Sequence, residues 1–330
     1  MPTAGFRRFS VVVLGFTLAV ILWGAYVRAS GSGAGCGSHW PTCNGEVIPR
    51  APSIATVIEL THRATSGIAF MLVLAQVIWA WRSFPRRHAA RRAATVAMAL
   101  MVTEALVGAG LVVFEMVADN KSIARAAWME AHLLNTFALV AAQTLTIWFA
   151  KPSSGSDQRA AGAKTKMFVA TVVGIAGMLL VALSGAVAAL GDTLFPVASL
   201  AEGLRADLSP TTHLFVRLRV WHPLIAVVVG AWLLAVSGAI VVRDRPLGLR
   251  PLATLLAALV LAQLGVGLLN LALLAPIPLQ IVHLLLADLV WVTLVLLAAR
   301  AAVVPATEQP SGVEQRAGAG VTSAGASSIT

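Results

Sequence analysis

The chain of 330 residues is 58% hydrophobic and only 12% charged, with a formal net charge of +10. A soluble domain carries about a quarter of its residues as Asp, Glu, Lys and Arg, so the composition excludes an ordinary water-soluble globule. It points instead to an integral membrane protein.

Eight apolar runs approach the length of about 20 residues that a helix needs to cross a bilayer. In chain order they are Phe9–Val27, Glu59–Ala80, Ala93–Val117, Trp128–Ala150, Met167–Leu190, Leu218–Val242, Leu252–Leu274 and Leu279–Ala299. The first follows Arg7 and Arg8, as a signal peptide would. Its apolar core is too long for that role and seven more spans follow, so it reads as a retained anchor.

The loops explain the net charge. With the N-terminus inside, 16 of the 24 Lys and Arg fall on inner segments, against four of the 14 acids. The outer segments and helix mouths hold eight of each. This is the positive-inside bias, which predicts a multi-pass protein of the cell membrane with both termini cytoplasmic. The charge therefore orients the chain and gives no reason to expect a nucleic-acid partner.

The chain reads as a duplicated four-helix unit: 1–150, a polar linker 151–166, a second unit 167–303, and a tail 304–330. The tail is rich in Ala, Gly, Ser and Thr and is expected to be disordered. The expected fold class is all-α, with eight transmembrane helices arranged as two pseudo-symmetric four-helix bundles. In each unit a histidine opens the second and fourth helices: His62 and His132, then His222 and His283. His132-Leu-Leu recurs as His283-Leu-Leu, and Val107-Gly-Ala-Gly-Leu resembles Val266-Gly-Leu-Leu.

A histidine at a helix mouth is commonly an interfacial polar residue. Four at matching positions in a repeat suggest two bis-imidazole haem sites near the outer face, since an apolar bundle offers a neutral imidazole few other partners. The halves differ beside these sites. Glu59 stands three residues before His62, on one helix face, whereas the position before His222 is Arg219. This contrast suggests chemistry in the first half and a service role in the second. Arg28, Arg63, Arg217 and Arg219 gather at the outer mouths, where haem propionates could meet a guanidinium.

Cys36 and Cys43 lie in the first outer loop (Ser30–Pro52), on the oxidising side. A structural disulfide and a redox-active pair both remain open, and a zinc site is poorly supported because only His39 is near enough to join the thiols. Glu104 and Asp288 are the only acids deep within spans and are expected to form structural hydrogen bonds to Ser, Gln or Asn. Gly108-Ala-Gly110 and Gly265-Val-Gly267 suit close helix packing. His39, His88 and His213 lie in loops and are weaker site candidates. On the residues alone, a membrane enzyme, a dihaem b-type electron-transfer protein and a haem-binding or transport protein all remain possible.

Three segments narrow the choice. Val27-Arg28-Ala-Ser-Gly31-Ser-Gly33-Ala-Gly-Cys36, then Trp40-Pro41-Thr-Cys43-Asn-Gly45, then Ile58-Glu59-Leu-Thr-His62-Arg63 resemble the signature of heme A synthases. The resemblance implies oxidation of a methyl group of heme O to the formyl group of heme A, which supplies terminal cytochrome oxidases. It implies that His62 and His132 address the substrate iron, while His222 and His283 ligate a haem b cofactor. Glu59 would transfer protons or stabilise a cationic intermediate. Heme O synthase and oxidase assembly factors would be partners, with lipid all around. The chain departs from the pattern twice: the loop between spans five and six lacks a second cysteine pair, and Ser38-His39 precedes Trp40-Pro41 where relatives often carry an acid.

Overall fold

The computed structural model describes residues 2–151, 166–243 and 248–302. The expected tail 304–330 and nearly all of the expected linker lie outside the described residues. Ten α-helices are described: α1 Pro2–Ala29, α2 Ile54–Ser83, α3 Ala89–Val113, α4 Ile123–Phe149, α5 Lys166–Leu194, α6 Leu200–Leu208, α7 Leu214–Arg219, α8 Trp221–Arg243, α9 Arg250–Ala272 and α10 Ile277–Ala301. Eight helical segments among the described residues are long and apolar enough to span a bilayer, with α7 and α8 together forming the sixth. The protein is an all-α multi-pass membrane protein.

Several spans begin earlier than hydropathy indicates, because capping chemistry rather than apolarity decides where a helix starts. Ser53 accepts a hydrogen bond from the Thr56 amide and starts α2 five residues before Glu59. Ser122 does the same for α4 through the Arg125 amide. His62, His132 and His283 therefore do not open their helices, whereas His222 is the second residue of α8. His62, His132 and His222 lie roughly two turns inside their spans and His283 slightly less.

The sixth span carries a break that hydropathy does not register. Pro223 has no amide hydrogen, and its ring would collide with the carbonyl four residues back, at Arg219. The helix accordingly stops at Arg219 and restarts at Trp221. The loop before it contains the further helix α6, started by Ser199, which caps the Glu202 amide.

α1 to α4 pack as one four-helix group, and α5, α8, α9 and α10 as another. The groups meet where α4 and α10 lie against each other and where α1 touches α10 and α5 touches α4. α4 and α10 are the most enclosed spans, 44% buried over their most apolar stretch against at most 28% for the others. Their junction is specific: Trp291 Nε1 donates to the Phe137 carbonyl at 2.9 Å, and the two rings meet edge to face. Leu14, Phe137, Val140, Met178, Leu233, Leu256 and Leu294 form one continuous core across both groups. Lipid tails are as apolar as leucine, so this packing stabilises through van der Waals fit and interhelical hydrogen bonds rather than removal of water.

Candidate functional site

All four span histidines lie toward the end of the bundle that bears the Cys36–Cys43 loop, here called the loop end. Each imidazole rests against a glycine of a neighbouring helix. A β-carbon on Gly24 (α1) would lie 2.8 Å from His62 Cε1, and one on Gly185 (α5) would lie 2.9 Å from His222 Cε1. On Gly267 (α9) it would come within 3.1 Å of His283 Cε1, and on Gly108 (α3) within 3.6 Å of His132 Cε1. Thus α1/α2, α3/α4, α5/α8 and α9/α10 repeat one device, a glycine on one helix facing a histidine on the next. Gly108 and Gly267 lie in motifs that suit helix packing, whereas Gly24 and Gly185 carry no such motif. Superposing the two halves on their histidines is the signal that finds all four.

The fit to haem can be tested on these groups. Nδ1 of His62, His132 and His283 is buried without a hydrogen-bond partner among the described residues. The His222 and His283 rings have centroids 6.4 Å apart at 88°. With metal–imidazole bonds of about 2 Å, two rings flanking one metal place their centroids roughly 6 Å apart. Among the described residues no group of three or more His, Cys, Asp or Glu side chains could hold a metal ion. A metal at a two-histidine site must then bring its other ligands with it, as a porphyrin does. The residues fit.

The two sites have different roofs. Glu59 is 3% exposed. Its Oε2 accepts the Cys36 amide at 2.8 Å, and its Oε1 accepts Arg63 Nε at 3.1 Å and Nη2 at 2.5 Å. Arg63 Nη1 then reaches up to the carbonyls of His39 at 2.6 Å and Thr42 at 2.7 Å. Cys36 and Cys43 are joined as a disulfide, and the Trp40-Pro41 peptide within that loop is cis. Thr56 Oγ1 donates to the Gly35 carbonyl at 2.7 Å, and Gly35 lies so close to the Ala55 backbone that no β-carbon could be accommodated. The loop is therefore clamped onto the start of α2, directly over Glu59. No hydrogen bond joins Glu59 to His62 Nδ1.

Over the second pair, Arg219 bonds Asp192 at 2.9 Å and Asp207 at 2.6 Å, tying the end of α5 and α6 to α7. His222 Nδ1 lies 3.2 Å from Ser184 Oγ, whose own proton goes to the Val181 carbonyl. Arg28 donates to the Ala189 carbonyl at 3.0 Å, Thr193 Oγ1 at 2.9 Å and Gln280 Oε1 at 3.0 Å, crossing from the first helix group to the second. Arg217 is exposed, with its guanidinium unengaged among the described residues.

The deep acids behave differently from each other. Glu104 accepts Asn135 Nδ2 and Thr136 Oγ1, and its Oε1 lies 3.5 Å from His132 Nδ1. Asp288 is buried, yet its Oδ2 has no hydrogen-bond partner among the described residues. A bond to Ser, Gln or Asn is therefore seen for Glu104 and not for Asp288 Oδ2. His88 and His213 are helix caps, each accepting from the amide two residues on through Nδ1. Arg125, unremarked in the sequence, is buried and folds the α3–α4 turn by donating to the carbonyls of Ala118 and Asn120.

Residues 7–295 match the family profile COX15-CtaA, described as cytochrome oxidase assembly protein. The chain is 53% identical over 290 residues to a protein of Thermus thermophilus named protoheme IX farnesyltransferase, covering 88% of this chain and 47% of that one. It is 42% identical over 108 residues to the heme A synthase of Alkalihalophilus pseudofirmus, covering 33% of this chain and 36% of that one. The heme A synthase of Shouchella clausii is 42% identical over 110 residues, with 33% and 36% covered. The chain spans about half the length of the Thermus relative. The resemblance to heme A synthases noted in the sequence is borne out, and the chain belongs to the COX15-CtaA family of cytochrome oxidase assembly proteins.

Proposed function

We propose that this protein is a heme A synthase, a membrane oxidoreductase that converts a methyl group of heme O to the formyl group of heme A. The observation that carries the reading is the asymmetry of two otherwise matching sites. Both have a glycine-backed histidine pair, but only the first lies under a buried carboxylate held by an arginine and a disulfide loop. A carrier that only passes electrons needs no such carboxylate.

On this reading His62 and His132 hold the iron of heme O, the substrate, and His222 and His283 hold haem b. Haem b, when bound, supplies one-electron redox capacity. Making a formyl group from a methyl group, with water supplying the oxygen atom, releases electrons and protons in successive oxidations, the electrons passing to an external acceptor. Glu59 is the carboxylate placed to take protons or to stabilise positive charge. Its bonds to Arg63 and to the Cys36 amide hold it in one orientation. Arg217, exposed at the loop end, is the guanidinium left to meet a propionate. The name of the Thermus relative belongs to a protein about twice as long, of which the match covers 47%, while the family profile covers residues 7–295 of this chain. We assign this chain's activity to that segment and not to farnesyl transfer.

The loop end faces the outside of the cell membrane and both termini the cytoplasm. Arg82, Arg86, Arg87, Arg91, Arg92 and Lys151 at the opposite end support that orientation. Heme O synthase and oxidase assembly factors are the expected partners.

The test is mass spectrometry of haem extracted from protein purified from cells that make heme O. Heme B with heme A, or with a hydroxylated heme O, is expected. Heme B alone would leave an electron carrier, and no haem in folded protein would end the haem reading. Glu59→Ala is expected to retain heme B and to lose heme A output by at least tenfold. Undiminished output would remove Glu59 from the chemistry.

A further inference from the structure

We propose that Glu104 is a positioning residue that orients His132 and strengthens it as an iron ligand, so that the first-half site is electronically distinct from the second. The proposal rests on the assignment of His62 and His132 to a haem iron.

Glu104 stands on α3 one turn before Gly108, the glycine that faces His132. Its carboxylate is gripped by Asn135 and Thr136, which lie on α4 in the turn that follows His132. Asn135 is fixed in turn, donating to the Leu100 carbonyl at 2.9 Å and accepting from Thr103 Oγ1. This leaves Oε1 3.5 Å from His132 Nδ1, a nitrogen with no hydrogen-bond partner among the described residues. The carboxylate is thus held just outside bonding distance of the one imidazole atom that needs a partner. A small turn of the His132 ring, with Nε2 on a metal, closes that gap.

The duplicated half supplies the contrast. Gln263 stands one turn before Gly267, as Glu104 does before Gly108. It carries an amide, and its Nε2 lies 3.4 Å from His283 Nε2, the opposite ring nitrogen. The anchored imidazole of that half is His222, whose Nδ1 meets the Ser184 hydroxyl. The second half thus meets one histidine at Nδ1 with a neutral hydroxyl, 3.2 Å away, while the first sets a carboxylate 3.5 Å from such a nitrogen. A carboxylate accepting the Nδ1 proton fixes the tautomer with Nε2 free and raises the basicity of that nitrogen. A more basic axial ligand favours the oxidised metal and lowers the potential. Glu59, whose repeat position carries Arg219, adds a second carboxylate to the half that would hold the substrate, whereas the acids over the second pair, Asp192 and Asp207, are bound to Arg219.

The test is a spectroelectrochemical titration of purified full-length protein loaded with haem b, with the second-half wave identified by its loss in His222→Ala. Glu104→Gln is expected to raise the first-half midpoint by about 59 mV, equivalent to a tenfold change in the one-electron equilibrium, and to leave the second-half wave in place. Thr136→Val frees Oε1 to engage His132 and is expected to move the same wave downward. It also keeps the proposal testable if Glu104→Gln fails to fold. A bound first-half haem whose wave is unmoved in both variants, or moves upward in both, overturns the role given to Glu104. Wild-type protein that binds haem only in the second half overturns the assignment of His62 and His132 to an iron, and this inference with it.

Discussion

Gly24, Gly185 and Gly108 make the sites testable at the resolution of one methyl group. A β-carbon at Gly24 or Gly185 would lie within 3 Å of its histidine's Cε1, inside any tolerable contact, while at Gly108 it would sit at an ordinary 3.6 Å. Overpacking of this kind destabilises by about 1–3 kcal/mol where the neighbour cannot yield. An imidazole fixed to a metal is such a neighbour. Gly185→Ala is therefore expected to lower haem b content about tenfold, Gly24→Ala to do the same to first-half haem, and Gly108→Ala to be close to neutral. Haem absorbance per polypeptide in the three variants checks this ranking. Equal loss in all three would show that the glycines serve helix packing in general. The histidines were legible in the sequence because four polar residues in apolar runs stand out. Their glycine partners were not, since 27 glycines give no means of choosing four before the helices are paired. Likewise Glu59 and Arg63 could be named from their motif, but their attachment to the Cys36 amide and the His39 and Thr42 carbonyls depends on how the loop folds back.

At the level of the helix, the number and order of the spans followed from hydropathy, while helix starts and breaks followed from single residues that hydropathy averages away. Ser53 and Ser122 extend α2 and α4 outward, and so enclose His62 and His132 more deeply than a helix mouth would. Pro223 does more, because the break it forces lies between Arg219 and His222. It lets Arg219 turn to Asp192 and Asp207 while His222 turns toward Gly185 and Ser184. In an unbroken helix residues three apart share a face, and the two side chains could not part so freely. Pro223→Ala restores an amide donor and a continuous helix, which alone favours helix formation by about 3 kcal/mol at an interior position. The expected outcome is a protein of equal or greater thermal stability with reduced haem b content. Undiminished haem b in a stable variant would show that the break does not position His222.

Across the whole molecule, apolar packing of α4 on α10, the Trp291–Phe137 hydrogen bond and the Arg28 side chain are among the links between the two helix groups. That side chain leaves α1 one turn after Gly24, the glycine facing His62, and ends on Gln280, three residues before His283. It also bonds Ala189 and Thr193 at the end of α5. Its three acceptors are neutral, and among the described residues it makes no ion pair. Its geometry links the surroundings of the two histidine pairs through a single rigid fork. Arg28→Met keeps the apolar stem and removes all five donors, leaving Thr193 Oγ1 and Gln280 Oε1 without this partner. Both acceptors are half-buried, so each loss costs less than the about 1–3 kcal/mol of a fully buried one. The variant is expected to unfold several degrees below the wild type in detergent. More telling, it should shift the low-spin haem signals of both halves in electron paramagnetic resonance, because α1 and α10 each lose the same anchor. A shift confined to one half would show that Arg28 belongs to that site alone, and that apolar packing of α4 on α10 suffices to hold the two sites in register.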